Sequence, residues 1–137
     1  MAQNLKFFSQ EWLDAAIEAV NANEAIYNGF KDPESFTNKM EFRTTGNEGV
    51  ASHLEWERGR LVSWTQPKFE ESELWLIITG GLDTWKTAAA GDEQGGRLLL
   101  AGKMKFLQGP MSAAIENAEA LNNFLLTWGQ VPTDWDV

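Results

Sequence analysis

Few side chains in this sequence have the type and spacing that chemistry requires. His53 is the only histidine, and cysteine is absent. A metal site would need partners for that imidazole, and neither thiolates nor a second ring exist to share an ion. Paired acids occur at Glu55/Glu57, Glu70/Glu71 and Asp92/Glu93. General acid–base work needs one carboxyl held in an apolar setting, and these pairs sit in polar stretches that read as solvated surface. Glu73 and Asp83 flank the most apolar segment and are the two acids that an enzyme acting on a greasy substrate would use. Ser52 and Ser63 lack the glycine-flanked elbow of a nucleophilic serine. The run Gly91 to Gly96 (GDEQGG) is glycine-rich, yet it carries two acids and no Lys-Ser ending, so it reads as a joint rather than a phosphate cradle. His53 itself alternates onto the charged side of a strand and is expected to be exposed.

What the chain has in quantity is apolar surface. Of its 137 residues, 43% are hydrophobic, with seven tryptophans and eight phenylalanines. This length suits one domain, 1–137, with a core that needs no disulfide or metal staple. The formal charge of −9 disfavours nucleic acid, whose phosphates need a basic footprint. The only locally basic segment, residues 86–105, holds Lys86, Arg97, Lys103 and Lys105 against Asp92 and Glu93; residues 106–137 have no basic side chain. No apolar run reaches the ~18 residues of a spanning helix, and no secretory signal pattern opens the sequence.

The elements that would position these residues follow from periodicity. Residues 9–22 read as a helix capped by Ser9, with Trp12, Leu13, Ala16, Ile17 and Val20 on one face. From Ser35 to Thr45 the period becomes two. Phe36, Met40 and Phe42 face one way and Thr37, Lys39, Glu41 and Arg43 the other, the pattern of a half-exposed strand. Val50, Leu54 and Trp56 repeat it, with Ala51, His53, Glu55 and Glu57 on the wet side. Leu61 to Gln66 adds a third strand, and the short turns imply an antiparallel meander. Leu74 to Thr79 is apolar on both faces and predicts a central, doubly covered strand. Two short helical turns follow, around Trp85 (capped by Asp83 or Thr84) and around Leu98 to Ala101. Lys103 to Gln108 forms a fifth strand. Gly109-Pro110 then starts one long helix with Met111, Ala114, Ile115, Ala118, Leu121, Leu125 and Trp128 on one face. This order predicts an α+β fold.

The stretch from the fourth strand onward resembles the sterol carrier protein 2 family. Its carriers are a Trp-containing helix (Trp85), a glycine between two short helices (Gly91), and the strand Gly102-Lys103-Met104-Lys105-Phe106-Leu107-Gln108-Gly109 before a C-terminal helix. The opening Phe7 to Leu13 is similar to the start of bacterial members. Two departures stand out: Pro110 where members often carry Asp, and Gln94-Gly95-Gly96 where they often carry Asp-Pro. The resemblance implies a prokaryotic, single-domain member with a five-stranded, largely antiparallel sheet covered by helices and an apolar tunnel between sheet and helices. It implies binding and transfer of a hydrophobic ligand (fatty acid, acyl ester, sterol-like or other lipid) without catalysis and without a cofactor or metal.

The wall of that tunnel is expected from Trp75 and Ile77, or their opposite-face neighbours Leu76 and Ile78, with Trp85, Leu98, Leu99, Met104, Phe106, Met111, Ile115, Leu121 and Leu125. Lys86, Arg97, Lys103 and Lys105 are the candidates for an anionic head group. The expected setting is cytoplasmic, since the C-terminus is no peroxisomal address, with no stable membrane insertion. Delivery would be to an acceptor protein, and the carrier itself a monomer or weak homodimer. Two other classes stand against it: a small isomerase or hydrolase using the same cavity, and a structural module whose tunnel is filled by side chains.

Overall fold

The first helix shows how locally this chain is specified. In a computed structural model describing residues 4–47 and 49–137, the Ser9 side chain accepts a hydrogen bond from the Trp12 amide and caps α1, Gln10–Ala22. Trp12, Leu13, Ala16 and Val20 are buried along one face. A short strand β1, Leu5–Lys6, precedes α1, and α2, Glu24–Gly29, follows it. The sheet strands are β2, Asn38–Thr44; β3, Ala51–Glu57; β4, Arg60–Thr65; β5, Leu76–Gly80; and β6, Met104–Gln108. Helices α3, Leu82–Ala90, and α4, Gly95–Leu100, lie between the last two strands. The chain closes with α5, Met111–Glu116; α6, Ala118–Trp128; and β7, Thr133–Asp134, which pairs in parallel with β1.

Among the described residues the main sheet runs β4-β3-β2-β5-β6, with β2, β3 and β4 as an antiparallel meander. β5 pairs antiparallel with β6 but parallel with β2. The chain therefore leaves β4 at one edge and must cross the sheet before entering β5. Residues 66–75 make that crossing over the face opposite the helices, where the Lys68 and Phe69 amides bond to His53. This explains why β5 is buried throughout, as its doubly apolar sequence predicts.

It also corrects the expectation of half-exposed strands. Glu41 and His53, expected on the wet side, are 6% and 2% exposed, and Ala51 is buried too. Period two was right about which residues share a face. It could not foresee that a loop would cover the second one.

The helix-facing side carries Met40, Phe42, Leu54, Trp56, Leu76 and Ile78, all in one core cluster. Aromatic rings dominate it: Trp12, Trp64 and Trp128 meet edge-on or tilted at 5.5–6.1 Å between centroids, and Phe42 packs on both Trp85 and Trp128. Helix α6 crosses α2 so closely that a Cβ at Gly29 would lie 2.7 Å from the Ala120 amide nitrogen.

Three further expectations need correction. The C-terminal helix is not continuous, because Asn117 (φ −113°, ψ 24°) separates α5 from α6. Its side chain is engaged on both sides, donating to the Ala113 carbonyl and accepting from the Lys31 amide. The N-cap of α3 is Gly81, with no side-chain cap bond from Asp83 or Thr84. Gly95 is not part of a loose joint. It is buried in α4, its amide donates to Asn122, and a Cβ added there would lie 3.2 Å from a Leu125 methyl.

Candidate functional site

An apolar cavity lies between the helix-facing side of the sheet and the C-terminal helices. Phe36, Met40 and Phe42 line it from β2 and its entry, Trp56 from β3, Trp75, Leu76 and Ile78 from β5 and its entry, and Phe106 from β6. Phe30 closes one end, while Ala113, Ala114 and Asn117 with Ala120, Leu121 and Phe124 form the roof. The cavity volume is about 40 Å³. At roughly 10–15 Å³ of such space per water, this is room for about three water-sized groups. The water-sized space beneath these helices is small.

The roof is its weakest part. Helix α5 has six residues, no side-chain N-cap bond, and small Ala113 and Ala114 pointing at the void. Its outward side chains include Ile115, 74% exposed, and Met111, 48% exposed. An exposed ion pair, Lys31 to Glu116 at 3.3 Å, ties its end to the segment after α2.

A polar depression lined by Lys31, Asp32, Ser35, Thr37, Asn38 and Glu116 adjoins the cavity and shares Phe36, Trp75 and Asn117 with it, forming a mouth. Ser35 donates to Asp32 at 2.8 Å. Two polar atoms at cavity and mouth are buried without a protein partner: the Trp56 indole nitrogen and Asn38 Oδ1. Asn38 and Trp56 stand directly opposite each other on β2 and β3.

Of the expected wall residues, Trp75, Phe106 and Leu121 line the cavity, and Leu76 and Ile78 do so in preference to Ile77. Ile77 is buried against the opposite face of the sheet, between Glu41 of β2 and Gln108 of β6. Trp85, Leu98, Met104 and Leu125 are packed in solid core, and Leu99 is half-buried against it. Met111 and Ile115, on α5 before the break at Asn117, are exposed. Phe36 and Met40 were legible from their shared period-two face. Trp56 shared such a face too, but the alternation carried no sign of a role for Asn38 or Asn117.

The expected head-group cations are scattered. Lys103 and Lys105 line a surface depression with Arg43, Thr45 and Thr79. Lys86 lies beside Ala89 and Gln130 in another, and Arg97 is exposed on α4. None of the four lines the cavity or its mouth.

The covered outer face holds the densest polar cluster. His53 Nε2 and Glu41 Oε1 are 2.8 Å apart, and Nδ1 accepts the Lys68 and Phe69 amides, each at 3.0 Å. With Nδ1 accepting, the ring proton sits on Nε2 and is donated to Glu41. The second Glu41 oxygen accepts from Arg43, which also reaches Glu71. The Arg43 guanidinium is raised above its ordinary value, chiefly by the hydrogen bond to Glu41 and against the pull of burial. Phe69 stacks on the imidazole at 5.5 Å. Both ring nitrogens are occupied, so His53 offers neither a free base nor a metal ligand. Among the described residues no cluster of three or more His, Cys, Asp or Glu could hold a metal ion.

Comparison with solved structures places this architecture. A crystal structure of sterol carrier protein 2 superposes with a TM-score of 0.76 over 92% of this chain and 99% of its own, at 16% identity. The chain has the sterol carrier protein 2 fold. A solution structure from Thermus thermophilus matches with a TM-score of 0.74, 16% identity, 97% of this chain and 94% of its own. The sterol-carrier-like structure of the ubiquinone synthesis protein UbiJ matches more distantly, at 0.58 and 8% identity over 85% and 93%. No protein-family model and no curated protein sequence matches the chain. The sterol carrier protein 2 fold accounts for the five-stranded sheet, its mostly antiparallel pairing and the helices on one face. Among the described residues no helix is long and apolar enough to cross a membrane.

Proposed function

We propose that this chain binds and carries a long-chain hydrophobic ligand without catalysis, taking it up beneath α5. The observation that carries this reading is the position of the apolar cavity, between the sheet and a six-residue helix held by few bonds. Apart from indole N–H groups, Asn117 supplies the one polar side chain among the described lining residues, and amides are poor acids and bases. A chain of ~12 methylenes needs roughly four times the water-sized space available, so α5 must swing outward to admit it. Burial at ~0.8 kcal/mol per methylene would supply about 10 kcal/mol in gross terms, less several for ordering. Structures described as sterol carriers share this fold, as does one described as a ubiquinone synthesis protein, so the fold alone leaves the cargo class wide.

One observation favours a second reading. The void is small and the surrounding core is solid with rings, as a structural module with a filled tunnel would be. Native mass spectrometry of the purified protein, with organic extraction of bound material, separates the two. A stoichiometric adduct in the lipid mass range supports the carrier. A clean mass unchanged by incubation with fatty acids, alcohols and sterols would leave the filled module.

A further inference from the structure

Asn38 and Trp56 oppose each other in register on the helix-facing side of the sheet, one at the mouth and the other in the cavity wall. Directly opposed residues place their Cβ atoms roughly 4.5–5.5 Å apart. Each carries a buried polar atom without a protein partner, and the two are chemically complementary. Asn38 Oδ1 is an acceptor, whereas the Trp56 indole nitrogen is a donor only. Two other indole nitrogens, those of Trp85 and Trp128, are also buried and unpartnered, but of the three only Trp56 lines the cavity. A carboxylate could satisfy the indole but not the acceptor. An ether or ester oxygen has the same shortfall. A hydroxyl satisfies both, donating to Asn38 and accepting from Trp56.

The charges at the mouth select in the same direction. Among the described residues there, Asp32 and Glu116 face a single cation, Lys31, which Glu116 already engages. The cations Arg43, Lys103 and Lys105 gather in a depression that shares no residue with the cavity or its mouth. An anionic head would therefore meet net negative charge as it lost water, the costlier of the two arrangements.

We infer that the cavity takes an uncharged amphiphile bearing a terminal hydroxyl, which the Asn38–Trp56 pair reads as donor and acceptor, and discriminates against the corresponding carboxylate. This rests on the reading of the cavity as a lipid site. The test compares three probes of one chain length, decanol, decanoate and methoxydecane, by calorimetric titration of the full chain at about pH 8, where the acid is ionised.

Decanol is expected to bind about tenfold more tightly than methoxydecane, the worth of one hydrogen bond in a buried site, and more tightly still than decanoate. Asn38→Leu should bring decanol down to the level of methoxydecane while leaving methoxydecane unchanged, because only the alcohol donates to Asn38. Trp56→Phe removes the donor that all three probe oxygens accept from and should leave decanol ahead of methoxydecane. A merely structural role for Asn38 would instead make Asn38→Leu weaken all three probes together, and that outcome overturns the inference. So does equal or tighter binding of decanoate, which leaves the carrier reading intact. Failure of every probe to bind overturns both. Asn38→Val takes the place of Asn38→Leu if the latter does not fold, and thermal melts of each establish which is usable.

Discussion

The two faces of the sheet solve the burial of polar groups in opposite ways. On the outer face, Glu41, His53, Arg43 and the amides of residues 68 and 69 satisfy one another within a covered network. Such a network fixes a loop in one position and leaves nothing for a ligand to do. On the helix-facing side, Asn38 and Trp56 keep unpartnered atoms beside a void roofed by small side chains. The polar residues in the chain that attract notice from sequence, above all the lone histidine, serve structure. The proposed binding falls to the face with the least chemistry.

The most severe challenge to this contrast is to fill the void. Leu121→Trp should occupy the space of roughly three methylenes and lower affinity for a decyl probe about a hundredfold, with the fold kept as judged by circular dichroism. If uptake survives, the ligand does not enter this cavity.

The outer face should show the converse. His53→Ala strands two amides and the Glu41 carboxyl, so it should cost about 3 kcal/mol of stability in urea titrations. Affinity for decanol, measured on the fraction that remains folded, should be unchanged. A loss of binding without a loss of stability would contradict the assignment of the two faces.

Smaller effects refine the account of the roof. Glu116→Gln removes an exposed ion pair worth at most about 0.5 kcal/mol, hence little change in melting temperature. Uptake in stopped-flow fluorescence should become a few-fold faster, because that pair tethers α5. The smallest effect is expected from charge reversal at Lys103 and Lys105 together. Neither lines the cavity or its mouth, so binding of decanol and decanoate should both stay within about twofold of the parent.

The legible part of the fold was the part written in local pattern. Ser9 capping α1, the alternation in β2 and β3, the glycine that ends α3 and the doubly apolar β5 each follow from interactions within a few residues. The break at Asn117 was not legible, since Met111 to Trp128 keeps a helical period throughout and the interruption depends on Lys31, far away in sequence. The site was legible in class more than in detail. An excess of apolar surface marked the region, but periodicity cannot separate a residue that lines a void, such as Phe106, from one in solid packing, such as Met104.

By itself, then, the sequence determined the α+β order, the apolar character of the candidate site and the small number of side chains suited to chemistry, because composition and short-range periodicity fix these. Tertiary structure alone decided that the crossing of residues 66–75 would bury His53 and Glu41 together, that the void would be small, and that Asn38 and Trp56 would face each other without partners. Each of these depends on which distant surfaces meet, and contact between distant segments is set by the packing of the whole chain rather than by any window of it.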